Sequence, residues 1–328
     1  MGQFKMSKRI VVTGKIPDAG VKALQNAGFS PVTWSHEHQI SRAELLEFVK
    51  GAEVLITLLT EKVDDELLDA AGSQLKAVCN VAVGYNNIDV AACSRRNVSV
   101  TNTPGVLTDA TADIALALIL MVTRRLGEGE RVIRSTEPWQ WGMNYMLGVG
   151  IQNRQLGIIG MGAIGVATAR RAKAFGMTIA YFSRSPIDNK ISEELNATKL
   201  SLEDLLASSD VVSVHCPSNA STHHLIGSAQ LKQMKRTAFL INTARGPIVN
   251  EQQLVDALDA GEIAGAGLDV FEFEPKVNAG LLTHENVVLI PHLGSATQET
   301  RAAMATLAAS NAIAICNGQK PPTPVNAH

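Results

Sequence analysis

The chain reads as an α/β protein built from two doubly wound parallel-sheet domains. Short apolar runs alternate with helix-patterned stretches from Arg9 to His292, as expected of parallel strands joined by helical crossovers. A strand, a glycine turn and a helix lie mid-chain in Leu156-Gly157-Ile158-Ile159-Gly160-Met161-Gly162-Ala163-Ile164-Gly165. The length of 328 residues suffices for two such domains, each with a sizeable core.

Composition excludes several classes. A formal net charge of −2 leaves no electrostatic footprint for nucleic acid. The opening Met1–Arg9 has no long apolar region and is not expected to be a secretory signal. Gly2 suggests myristoylation, but Met6 stands where that motif needs Ser or Thr. The longest apolar helical stretch, Ala112 to Val122, is too short to cross a bilayer and carries Asp113. Cys79, Cys93, Cys216 and Cys316 are scattered, with no C-x-x-C pair, so they read as reduced thiols and no metal site is expected. A cytoplasmic protein, free of membrane and nucleic acid, is the expectation.

Taken in order, Arg9–Thr13 is a strand stopped by Gly14 and Pro17, and Val21–Ala27 a helix ending at Gly28. Pro31–Trp34 is the second strand. Ser41-Arg42-Ala43-Glu44 is a capping box that opens a helix closed by Gly51. Val54–Thr57 is a buried strand, Asp64–Ala71 a helix and Leu75–Asn80 a strand again. The loop Asn80–Asn87 follows, with Val83 and Gly84 at its centre. It reads either as a backbone cradle for a carboxylate or as an ordinary strand-to-helix connection. Thr101–Gly105 ends the first domain as a hinge, and Thr108–Arg125 is one long helix. Trp139, Trp141 and Tyr145 then crowd a segment outside either sheet. This suggests a homodimer interface, although a satellite core would look the same.

In the glycine turn, Gly160, Gly162 and Gly165 have the G-x-G-x-x-G spacing of a dinucleotide site. The first makes the turn, the second admits a pyrophosphate, and the third lets helix and strand pack closely. The helix start, with Ala163 and Ile164, would offer amides to the phosphates. The next strand, Met177–Phe182, ends in Ser183-Arg184-Ser185, where an NAD-preferring fold carries an acid for the ribose. An arginine and two hydroxyls suit a 2′-phosphate instead, so NADP(H) is expected over NAD(H). The alternative is an exposed arginine and mixed cofactor use. Strands at Asp210–Pro217, Leu240–Gly246, Gly265–Phe271 and Val287–His292 complete the domain, with helices capped by Ser201 and Asn250.

Arg245, Glu274 and His292 stand at or just beyond the carboxyl ends of strands in this half, the edge where open α/β sheets bind ligands. Reduction of a 2-keto acid needs a cation for the carboxylate, an acid for the developing alkoxide, and a carboxylate to keep that acid protonated. Arginine, histidine and glutamate supply one of each. Singly each has an ordinary structural explanation; together they favour catalysis.

Asn242-Thr243-Ala244-Arg245-Gly246, Gly267–Pro275 and Pro291-His292-Leu293-Gly294-Ser295-Ala296-Thr297 resemble the signatures of the D-isomer-specific 2-hydroxyacid dehydrogenases. The glycine turn and Val81–Asp89 match as well, so the resemblance covers essentially the whole chain. It implies an Arg–Glu–His triad at Arg245, Glu274 and His292, with Val83, Gly84, Arg245 and Ser295 on the substrate. It implies that Asp269 contacts the nicotinamide amide. Thr108, His215-Cys216-Pro217, Thr243, Ala244, His292 and Gly294 would lie along the cofactor. It further implies a flavodoxin-like substrate domain (1–103 and 298–328) and a Rossmann NAD(P)-binding domain (104–297) with a dimerisation arm at about 105–150. A cleft between them would close about hinges near Pro104 and Gln298.

Within the family the chain looks most like the glyoxylate/hydroxypyruvate reductases, from Ser183-Arg184, the Val83–Asn87 loop and a chain that stops at His328 without an appended regulatory domain. Formate dehydrogenases differ in pairing the histidine with glutamine where this chain has Glu274. Ala163 departs from the many members that carry arginine beside the pyrophosphate. Reduction of 2-ketogluconate or another 2-keto acid, and a nucleotide-sensing corepressor-like role, are the alternatives.

Overall fold

The computed structural model describes residues 8–136 and 138–326; the opening segment considered above for a leader or lipid anchor lies, through Ser7, outside them. The chain divides into two compact units, Met1–Leu107 with Thr297–His328, and Thr108–Ala296.

In the first unit, β1 (Ile10–Val12), β2 (Val32–Thr33), β3 (Val54–Thr57), β4 (Ala77–Asn80) and β5 (Ser99–Thr101) form a sheet of order β2-β1-β3-β4-β5. Every pairing in it is parallel. Side chains alternate across a strand, so this sheet builds two cores. Ile10, Val12, Val54, Ile56 and Cys79 face one, with Leu24, Ala308 and Ala312 from helices. Val11, Leu55 and Val78 face the other, with Leu45, Leu67 and Ala92. Runs that look uniformly apolar are thus buried on both faces. The expected capping box at Ser41 is formed, with the Ser41 amide donating to Glu44 Oε2 at 2.9 Å.

Helix Gln298–Cys316 returns to this unit and packs on helix Asp18–Asn26. Its buried Asn311 accepts the Thr323 amide at 3.0 Å and donates to Thr323 Oγ1 at 2.8 Å, fastening the C-terminal segment to the helix.

The second unit holds β6 (Gln155–Ile159), β7 (Thr178–Phe182), β8 (Thr198–Lys199), β9 (Val211–Val214), β10 (Phe239–Asn242), β11 (Gly265–Leu268) and β12 (Val287–Leu289). Their order is β12-β11-β10-β9-β6-β7-β8. The order reverses between β6 and β9, the switch point at which such sheets leave a crevice beyond the strand ends. Helices Thr108–Thr123 and Ala163–Ala174 pack together on one face, where Leu118, Ile119, Leu156, Ile158 and Ile241 share a core.

Two departures from the sequence pattern matter, and one open alternative is decided. The long helix ends at Thr123 because Arg125 turns into the left-handed region at φ 55°, and a separate helix, Leu126–Arg134, follows. The strands expected to reach Phe271 and His292 stop at Leu268 and Leu289, which frees those residues for the loops that carry the site. Trp139, Trp141 and Tyr145 are exposed (49%, 77% and 41%), so they form no satellite core. Met143 and Leu147 are exposed beside them. Among the described residues no helix is long and apolar enough to cross a membrane.

Candidate active site

The site of the second unit begins at the glycine turn. Gly160 has φ 97°, and a Cβ there would stand 2.5 Å from the Cys216 amide nitrogen, so only glycine lets the β6 turn lie against the end of β9. A Cβ on Gly165 would fall 2.4 Å from the Gly160 carbonyl, the close helix–strand approach expected of the third glycine. Around Gly162 the space is open, with nothing within 4 Å of an added Cβ. Gly162 caps helix Ala163–Ala174 without a side chain, leaving the first-turn amides for an incoming group. These features fit a pyrophosphate.

Ser183-Arg184-Ser185 lies at the end of β7. The Ser183 hydroxyl donates to the Ser185 carbonyl and forms a tight turn. Arg184 projects into solvent and forms no ion pair among the described residues. Beyond β9, burial pushes the His215 imidazole down to about 4, so it is neutral near pH 7; its Nε2 lies 2.8 Å from Ser213 Oγ. Thr243, just past β10, has a buried hydroxyl with no partner among the described residues. A buried hydroxyl without a partner is costly, and an orphan at the strand ends suits a ligand contact.

Arg245, Glu274 and His292 follow neighbouring strands. Past β10, Asn242 grips the turn from both sides. Its side chain donates to the Arg245 carbonyl at 3.0 Å and accepts the Ala244 amide at 3.0 Å. Arg245 Nη1 donates to the Ala244 carbonyl at 2.7 Å. Gly246 then presses on the chain past β11, where a Cβ would lie 1.9 Å from the Phe271 carbonyl. No larger residue allows that approach, which draws the Arg245 turn onto the segment bearing Glu274.

Glu274 Oε1 accepts the Phe271 amide at 2.9 Å, and Oε2 lies 2.9 Å from His292 Nδ1. Burial raises the Glu274 carboxyl, but His292, the Phe271 amide and the Arg245 charge outweigh it and hold it below the usual range. An ionised carboxylate only accepts, so His292 Nδ1 is the donor. Desolvation lowers Arg245 and the Glu274 charge opposes this; the guanidinium stays charged.

His292 itself sits at φ 53°, a conformation costly for a side chain of this size. Asp269 holds it there. The His292 amide donates to the Asp269 carbonyl at 2.9 Å, and the Asp269 carboxylate accepts the amides of Leu293 and, at 2.8 Å, Gly294. Burial raises the Asp269 carboxyl while those amides work against it. Thr111, near the start of the long helix, braces the turn by donating to the Gly294 carbonyl at 3.1 Å. Ser295 follows in the same turn, and Thr108 opens the helix that carries Thr111.

In the first unit, Asn102 Nδ2 donates to the Val83 carbonyl at 2.8 Å and Asn80 Nδ2 to the Gly84 carbonyl at 2.9 Å. The Val83 and Gly84 amides donate to no group among the described residues. Anchored carbonyls with unspent amides are the arrangement that an anion nest needs.

The sequence pattern did not single out Gly246, His224, Glu251 or Glu272. A lone glycine after an arginine carries no periodic signal, and an acid in a helix's first turn is ordinary.

Asp269→Asn places an NH2 group opposite one of two amide donors. Exchange at Leu293 or Gly294 is expected to accelerate about ten- to a hundred-fold, for a loss of about 1–3 kcal/mol. Unchanged exchange at both amides by NMR or mass spectrometry would show that the carboxylate does not hold the turn.

Residues 116–294 match the model of the D-isomer specific 2-hydroxyacid dehydrogenase NAD binding domain. A glyoxylate reductase of Thermococcus litoralis is 46% identical over 326 residues, spanning 98% of this chain and 97% of the relative. The crystal structure of a glyoxylate reductase from Paecilomyes thermophila superposes with a TM-score of 0.88 at 34% identity, covering 98% of each chain. An NADPH-dependent glyoxylate/hydroxypyruvate reductase from Sinorhizobium meliloti, solved with NADP and malonate, superposes at 0.81 with 34% identity over 97% of each. With a family model over more than half its length and relatives of this identity along nearly all of it, the chain belongs to the D-isomer-specific 2-hydroxyacid dehydrogenases.

Proposed function

We propose that this chain reduces a small 2-keto acid at the expense of NADPH, converting glyoxylate to glycolate and hydroxypyruvate to D-glycerate. The observation that carries this reading is the 2.9 Å contact of His292 Nδ1 with Glu274 Oε2, beside the charged Arg245. NADPH, held by the turn from Gly160 to Gly165, would supply the hydride when bound. Protonated His292 donates from Nε2 to the carbonyl oxygen as negative charge develops there. Glu274, already ionised, balances the imidazolium and fixes its ring through Nδ1. Arg245 holds the substrate carboxylate and polarises the ketone, and its fork suits both tasks. The Val83 and Gly84 amides are the proposed second hold on the carboxylate, and Ser295 a further substrate contact.

For the cofactor, the proposed contacts are the turn from Gly160 to Gly165, with Thr108, His215, Cys216, Pro217, Thr243, Ala244 and Gly294. The nicotinamide amide is assigned to Asp269, whose carboxylate oxygens retain lone pairs beyond the two amides they accept. Preference for NADP(H) rests on Arg184, with NAD(H) as a weaker alternative; the Sinorhizobium meliloti relative was solved with NADP. A cytoplasmic homodimer is the proposed state. Its proposed interface is the surface of Trp139, Trp141, Met143 and Leu147, exposed large apolar side chains close together in the sequence.

Four measurements test this reading. Oxidation of NADPH is followed with glyoxylate, hydroxypyruvate and 2-ketogluconate in parallel. Turnover of the first two is expected, and turnover of none would leave a nucleotide-sensing role. His292→Ala should lower kcat by about 10²- to 10⁴-fold with NADPH affinity nearly intact; lost NADPH binding would count against the acid role. Arg184→Ala should weaken NADPH by about ten- to a hundred-fold and leave NADH almost unchanged, the loss of a charge-assisted contact to the 2′-phosphate. A wild type that prefers NADH would remove the basis for that assignment. By sedimentation the native chain should be a dimer and a Trp141→Glu/Met143→Glu variant a monomer; equal assembly of the two would move the interface elsewhere.

A further inference from the structure

Outside the site described above, His223, His224 and Glu272 gather potential ligand atoms within 4.8 Å of one another. The hydrogen bonds turn this group away from a cation. Asn250 caps helix Glu251–Asp259, its Oδ1 accepting the Gln253 amide at 3.1 Å, so its NH2 group is the end that faces His224 Nδ1, at 3.2 Å. Nδ1 therefore accepts and the proton resides on Nε2, which donates to Glu272 Oε1 at 2.6 Å. No lone pair is left on Nε2 for a metal.

The same bonds make a relay. Glu272 Oε2 accepts the Glu251 amide at 3.2 Å, and the Glu272 amide donates to the Glu251 carboxylate. Glu251 is itself buried (4% exposed) and also accepts the Asn278 amide at 3.3 Å. His224 is tied at its backbone to the turn after Arg245, its amide donating to the Pro247 carbonyl at 2.8 Å. It holds this place at φ 50°, a conformation that persists only where surrounding contacts enforce it. One histidine thus links the Arg245 turn, the start of helix Glu251–Asp259 and the chain two residues before Glu274.

We infer that His224 is a positioning residue, which through Glu272 sets the Phe271–Glu274 segment and so the Glu274 carboxylate that partners His292. Glu272 is clamped through both side chain and backbone, and the adjacent Phe271 amide is the one that holds Glu274 Oε1. His224 serves because the relay needs one acceptor and one donor at fixed positions. The inference rests on the proposed keto-acid reduction for its kinetic consequence, whereas the geometry is readable without turnover.

The test compares His224→Leu, His224→Gln, Glu272→Gln and the His224→Leu/Glu272→Gln double variant in the full-length protein. Glutamine can accept from Asn250 and donate to Glu272; leucine replaces only the packing. His224→Leu should lower kcat with glyoxylate by about ten- to a hundred-fold, the cost of a misplaced catalytic group, with NADPH affinity unchanged. His224→Gln should restore most of that loss, and the double variant should be no slower than the slower single one. Amide exchange at Phe271 and Glu272 should quicken in His224→Leu and return towards wild type in His224→Gln. Wild-type kcat or unchanged exchange in His224→Leu, no rescue by glutamine, or additive losses would overturn the positioning role. A wild type inactive on every keto acid would instead overturn the proposed reaction, and the exchange measurement would still decide for or against the relay.

Discussion

Both oxygens of the buried Asp269 carboxylate accept backbone amides, one from Leu293 and one from Gly294, and the candidate site depends on that pair. Burying a carboxylate is costly unless its oxygens are satisfied, and here main-chain donors supply the compensation. In return the carboxylate fixes the turn that presents His292 at positive φ. Glu274 then meets the imidazole from the next loop, itself anchored by the Phe271 amide. Without the Asp269 carboxylate, the loop that brings His292 to Glu274 would lose two of the bonds that hold it.

Close backbone approach is the second constraint. Gly160 lets the β6 turn touch the end of β9, and Gly246 lets the Arg245 turn touch the Phe271 carbonyl. In each case a single methyl group would separate elements that the chemistry needs together. These contacts fall at the carboxyl edge of a sheet whose order reverses between β6 and β9, so the open space at Gly162 and the charged loops belong to the same edge. Catalytic side chains on loops gain precision when backbone, rather than flexible side chains, sets their spacing.

Much of the fold was legible. Ser41 and Glu44 announced a capping box because its two bonds are local, and Gly160 announced its turn because positive φ selects glycine. The strand ends were less legible. Apolar residues recur past Leu268 (Val270, Phe271) and Leu289 (Ile290), and nothing in their chemistry says that pairing has already stopped. The tryptophans near residue 140 were ambiguous for a similar reason: an exposed aromatic patch and a small core have the same composition, and only exposure separates them.

By itself the sequence determined the alternating α/β architecture, the dinucleotide turn and the identities of Arg245, Glu274 and His292, because periodicity, glycine spacing and chemical type are local properties. Tertiary structure alone decided which groups meet. It turned Asp269 onto the Leu293 and Gly294 amides and linked His224 to Glu272 across 48 residues of chain. Those contacts follow from strand order and from backbone approaches at glycine, neither of which is written in the spacing of the residues that take part.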